Sequence, residues 1–307
     1  MSSVSRCNSY SIPRSVQFLF GCLATTSFFS CATPLKQHYQ IQPLQSDDAV
    51  TIEIKGVDEE VELQKYVYRS HEWTDVDGRS VKSERESSSF DVQTTTLLND
   101  ESSKLLHQVV ETVKQSGDVN LHDLGFPQKK ERISFIYSSQ SEVLKAGSYD
   151  KRSLFFVPPV PLPKKAVKVG DSWDMTHSWV SQQSGFPLTI KVTALLKDLL
   201  QCGEQRCASV ELSGHVEVPF LDPKKVRYSS RILGRYLFNL DRGKMLWSKI
   251  VSEDSLQAAE KTVNVQSCIV STLHKPKKLS WLTVTPDCEP EDQDLPDLPK
   301  IELAAKN

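Results

Sequence analysis

Gly170-Asp171-Ser172 and Asp174-Met175-Thr176-His177 bring a hydroxyl, two carboxylates and an imidazole into one short stretch. These are the side-chain types of a nucleophile, its base and an orienting acid. Their spacing defeats that chemistry. Trp173, Met175, His177 and Trp179 alternate with Asp174, Thr176 and Ser178, which predicts a strand. In a strand Ser172 and His177 face opposite ways and stand roughly 16 Å apart, at about 3.3 Å per residue. A hydrolase is therefore a remote alternative, no catalytic residue is assigned, and His177 is expected on an inner face. The chain has no Gly-rich phosphate loop, His-Glu-x-x-His or calcium-loop pattern, and its seven histidines are scattered. No cofactor and no metal site is expected.

The cysteines offer a second chemistry. Cys202 and Cys207 flank Gly203-Glu204-Gln205-Arg206 at the tip of an expected hairpin, which suits a local disulfide. Cys268 and Cys288 form the second pair. Four cysteines allow three connectivities, and this one is preferred. Zinc is disfavoured, because no Cys-x2-Cys or paired His accompanies the Cys-x4-Cys.

The elements that position these residues begin with a leader. Arg6 and Arg14 precede the apolar run Val16 to Phe29. That run is shorter than the roughly 20 residues of a membrane-spanning helix and fits a signal-peptide core. Ser30-Cys31-Ala32 follows, and two endings are open: lipidation of Cys31, or cleavage after a small residue such as Ala32. Either implies export to the cell envelope, and lipidation implies a membrane anchor. The whole chain carries a net charge of −2 and 38% hydrophobic residues, which gives no electrostatic reason to expect nucleic acid.

The chain then divides as follows: residues 1–31 leader, 32–47 tether, 48–157 a β-rich half, 158–172 a proline-rich connector, 173–285 an antiparallel β half, and 286–307 an acidic tail without fixed structure. In the first half Val50 to Ile54 is a strand candidate. Asp77-Gly78 is a hairpin turn, and the polar strand after it is expected at an edge or on a solvated face. Leu105, Leu106, Val109, Val110 and Val113 recur at helical spacing after Asn99 and Asp100, with Gly117 closing a single amphipathic helix. Another strand is expected from Ser153 to Val157. Four prolines between Pro158 and Pro163 exclude helix and central strand. Beyond them period-two alternation runs through Phe186 to Leu196, Ala208 to Phe220 and Val226 to Leu240. The fold class is mainly β: a long curved antiparallel sheet, half-barrel or sandwich, with one helix.

Pro161-Leu162-Pro163-Lys164-Lys165-Ala166-Val167-Lys168-Val169-Gly170-Asp171-Ser172-Trp173 resembles a motif of uncharacterised bacterial exported proteins and lipoproteins. Leu233 to Gly243 looks like the later strand and turn of the same group. The resemblance implies envelope placement and no activity. The architecture is also similar to periplasmic lipoprotein carriers, which fold as half-barrels holding acyl chains; fold does not fix function. Two readings compete. In one, Trp173, Trp179, Phe186, Tyr236 and Phe238 line a hollow for an apolar ligand or lipidated partner. In the other, the protein is a scaffolding lipoprotein that engages another envelope protein.

Overall fold

The computed structural model describes residues 42–44, 48–100, 102–181, 185–219, 225–274, 288–292 and 294–299. The leader, Cys31 and most of the tether lie outside these. Twelve strands follow in chain order: β1 (Gln42–Pro43), β2 (Val61–Val76), β3 (Arg79–Asp100), β4 (Leu105–Ser116), β5 (Arg132–Ser138), β6 (Val143–Ala146), β7 (Ser172–Val180), β8 (Pro187–Cys202), β9 (Gln205–Glu217), β10 (Val226–Asn239), β11 (Lys244–Ala258) and β12 (Lys261–His274). They make one antiparallel sheet in the order β1-β8-β9-β10-β11-β12-β2-β3-β4-β5-β6, with β7 on the same flank of β8 as β1. The sheet does not close on itself.

Turn chemistry sets the hairpins. Asp77 and Gly78 both have positive φ, 49° and 74°, the two-residue turn whose twist matches its strands. The two sequence halves are not separate bodies, because β12 pairs β2 from Lys261–Val76 to His274–Leu63. The polar strand β3 is not a sheet edge along its whole length. It pairs β4 from Ser89 onward, and only Arg79 to Ser88 is left with β2 alone among the described residues. Lys82, Glu84, Arg85 and Glu86 stand there, the charges that protect an open edge.

The expected helix is strand β4. Leu106, Val110 and Thr112 are buried along one face, and β3 and β5 pair with either side. Doubled apolar residues at Leu105-Leu106 and Val109-Val110 satisfy a helical period and a strand period alike, and the β-branched valines and tertiary pairing decide for the strand. Asp100, one of the two expected helix-cap candidates, instead accepts from the Ser102 and Ser103 amides and hydroxyls in the β3–β4 turn. Ser153 to Val157 is likewise not a strand; Leu154–Phe156 forms a 3-10 turn with Phe155 and Phe156 buried. Val50 to Ile54 runs extended outside the sheet, and a Val50–Val167 bridge joins it to the segment before β7.

Alternation sorts side chains onto two faces. Cross-strand register places Trp173, Ala194, Leu212, Gly234, Ile250, Ile269 and Tyr68 in one row across seven strands. This row belongs to the inner face. Its core is completed from above by Ile52, Val160, Leu162 and Val167, and further along by Phe155, Phe156 and Leu121. A register shift between Leu196 and Asp198 turns Leu200 and Cys202 to the outer face, where they join Leu237, Trp247, Val251 and Val270.

The proline segment, expected as a connector, is a strap across the inner face, with Val160 and Leu162 each 7% exposed. Each apolar side chain it buries contributes about 1.5–3 kcal/mol. Prolines lack an N–H, so burying the segment leaves mainly carbonyls in need of donors. Trp173 Nε1 (3.1 Å) and Tyr236 Oη (2.9 Å) donate to Pro161 O, and Ser141 Oγ donates to Val160 O at 2.6 Å.

Both preferred disulfides are present, Cys202–Cys207 and Cys268–Cys288. The second pins the acidic stretch, which among its described residues is held rather than free. Glu289 pairs with Arg69, Glu291 with Arg85 at 2.5 Å and Asp292 with Lys249 at 3.0 Å, while Leu298 packs on the outer cluster. Surface ion pairs contribute at most about 1 kcal/mol each, so the bridge and the apolar contact hold most of the segment.

Candidate functional site

The five aromatic residues proposed as a ligand lining do not stand together. Tyr236 and Phe238 are fully buried in the inner core. Trp173 is half-buried and holds the strap. Burial raises the Tyr236 phenol far above its usual value, so it remains a donor to Pro161. Trp179 is half-buried at the far end of β7, and Phe186, just before β8, is 54% exposed.

The strap covers only part of the inner face. Past it the apolar register continues: Met175, Val192, Gly214 and Ile232 form the next row, then His177, Ile190 and Val216, then Trp179 and Leu188. Apart from Val192 these positions are half-buried rather than buried. Leu256 on β11, paired with Tyr228 and Val263, is 39% exposed. The other face of the same strands carries exposed Asp174, Thr176, Ser178, Lys191, His215 and Arg227. One wall of the sheet is thus apolar and partly open while its back is polar.

Toward β2 and β3 this wall turns acidic. Register aligns Asp254, Val265, Glu72 and Glu84, with Glu86 beside them opposite Ser70. Tyr228 Oη donates to Asp254 Oδ1 at 2.6 Å, and Lys82 pairs with Glu84 at 2.9 Å. His177 lies on the apolar side; burial lowers its pKa, partly opposed by Glu142. Ser172 is on the exposed face of the same strand.

One polar constellation has no signature in the sequence. His122 Nε2 meets Glu131 Oε2 at 2.6 Å, Tyr149 Oη donates to Glu131 Oε1 at 2.6 Å, and the Gln128 amide donates to Glu131 Oε2 at 2.7 Å. Burial and the Glu131 contact push the Tyr149 phenol up to about 12. The carboxylate has its oxygens occupied and the phenol is a donor, so the group ties loop 120–131 to the segment before the strap. His122 and Glu131 lie at the two ends of one loop and Tyr149 in another segment, and no recognisable motif spacing links them.

No family model and no curated protein matches the chain. Among solved structures, one similar chain is described as showing lipid-protein interactions in lipovitellin. It has 9% identity and a TM-score of 0.40 over 70% of this chain, which spans about a quarter (25%) of that one. Another is an outer membrane channel from Pseudomonas putida F1, at 11% identity and a TM-score of 0.21, covering 75% of this chain and 100% of that one. Both fall below the similarity that defines a shared fold.

Proposed function

We propose that this is an exported, lipid-anchored, non-enzymatic protein of the cell envelope that binds an apolar ligand, or the acyl part of a lipidated partner, on the open half of its inner sheet face. The observation that carries this reading is the apolar register continuing past the strap through half-buried Met175, Ile190, Trp179, Leu188, Val216 and Ile232. Solvent contact of so much apolar surface costs about 25 cal/mol per Å², which a bound chain would recover. The acidic border of Asp254, Glu72, Glu84 and Glu86 disfavours an anionic head group, so the ligand's polar end is neutral or cationic. The leader ending at Cys31 supports a membrane anchor, and two disulfides suit an oxidising compartment. The Val-Gly-Asp-Ser-Trp likeness to exported lipoproteins fits the same placement.

The test is to purify the full chain from cells, extract it with organic solvent and weigh the extract against protein by mass spectrometry. Stoichiometric lipid is expected, together with saturable binding of a fluorescent acyl amine. A clean extract and no probe binding overturn the reading; a clean extract with one reproducible co-purifying protein favours the scaffold. The mass of the mature N-terminus tests acylation of Cys31 directly.

A further inference from the structure

A second concavity lies at the opposite end of β10 from the open face. This cleft of about 670 Å³ is formed where residues 53–57 and Glu60 cross the β10–β11 turn, with Lys104, Leu106 and Ser139 on its far side. Its shape is set by backbone contact. Gly243, at φ 65°, lies so close to the Lys55 backbone that a Cβ there would overlap it, and Lys55 N donates to Gly243 O at 3.1 Å.

The charges around the cleft do not cancel. The Lys244 ammonium is buried and satisfied by Glu60 and Glu62. Asp241 accepts the Arg206 guanidinium at 2.9 and 3.1 Å and the Arg206 amide at 2.8 Å, and it also feels Lys55. Lys104 and Arg242 have no ion pair among the described residues, and the one lining carboxylate in the same condition is Glu53. Lys55, also without an ion pair among the described residues, offsets the second carboxylate on Lys244, so the cleft keeps one excess positive charge.

An independent feature sits in its wall. Ser139 is 7% exposed, and its hydroxyl has no hydrogen-bond partner among the described residues. Its backbone is fixed from both sides, donating to Lys104 O at 3.0 Å and accepting from Ile54 N at 2.7 Å. A buried hydroxyl without a partner is unfavourable and calls for an explanation. Rotation about a single side-chain bond redirects its donor.

We infer that this cleft binds the oxyanion, carboxylate or phosphate, of a small molecule whose apolar part lies against Ile54, Val57 and Leu106. Lys104 and Arg242 supply the charge and Ser139 Oγ a neutral donor. The site is separate from the open sheet face and stands without it.

The experiment is a calorimetric titration of the full chain with inorganic phosphate and, separately, with butyrate. Saturable binding of either, weakening as salt rises, is expected. Lys104→Gln with Arg242→Gln should weaken it about a hundredfold, and Ser139→Ala about tenfold, from the loss of charge-assisted and neutral hydrogen bonds respectively. Because Ser139→Ala removes an unpaired hydroxyl, its melting temperature should not fall, which separates lost binding from lost folding. Trp179→Ala should bind as the wild type does. Absence of binding by both anions at millimolar concentration, or equal affinity in the Lys104/Arg242 double variant, overturns the inference.

Discussion

The inner sheet face has two regions built to the same rule and finished differently. Under the strap, Leu196, Val210, Tyr236 and Phe238 are at most 1% exposed. Further down the same strands, Ile190, Val216, Ile232 and Tyr228 alternate with polar neighbours in the same way and are only half-buried. Strand period decides which face a side chain takes. What lies over that face is decided by a segment elsewhere in the chain. The closed region is packed as a core; the other keeps its apolar side chains partly exposed.

Substitutions can break this contrast. The largest effect is expected from Phe238→Ala beneath the strap, at about 3–5 kcal/mol of stability in urea unfolding. Trp179→Ala on the open half should change stability by no more than about 1 kcal/mol while weakening acyl-probe binding. Equal destabilisation by the two would show that the regions do not differ. Replacing Cys288 with Ser should cost about 2–4 kcal/mol and increase amide exchange at residues 288–299, leaving acyl-probe binding on the inner face unchanged.

A smaller effect sharpens the role of the strap. Tyr236→Phe leaves Pro161 O with Trp173 alone and should cost about 1 kcal/mol. Combined with Trp173→Phe it should cost more than the sum, because the second change leaves a buried carbonyl without either donor. The smallest effect is a pH dependence. Partial burial pushes the Glu131 carboxyl up, but hydrogen bonds from Tyr149, His122 and the Gln128 amide outweigh it and hold its pKa below the ordinary 4.5. With a depressed folded value, its contribution is complete above pH 4.5 and is lost as pH falls through the folded value. Melting temperatures from pH 6 to 3 should fall less steeply in Glu131→Gln than in the wild type.

Much of the architecture was legible in the residues. Alternation through Trp173 to Leu240 marked long strands and their apolar face, Asp77-Gly78 marked a hairpin, and the close spacing of Cys202 and Cys207 pointed to their bridge. These are local signals: a period of two, a turn that needs positive φ, two thiols held near each other by short chain. Tyr236 and Phe238 were misplaced as lining residues because alternation identifies a face and not its cover. Tyr236 and Phe238 looked equivalent to Trp179 and differ only in lying below the strap.

The order of residue types along this chain settles which side chains share a face and where the ribbon turns back, because those depend on neighbours one to five positions apart. It leaves open whether Leu105–Ser116 coils or extends, that β12 meets β2, that the prolines fold down as a cover, and that Ser139 lines a cleft with Lys104 and Arg242. Each of those rests on contacts between residues distant in the chain, whose free energy exists only once the sheet has assembled.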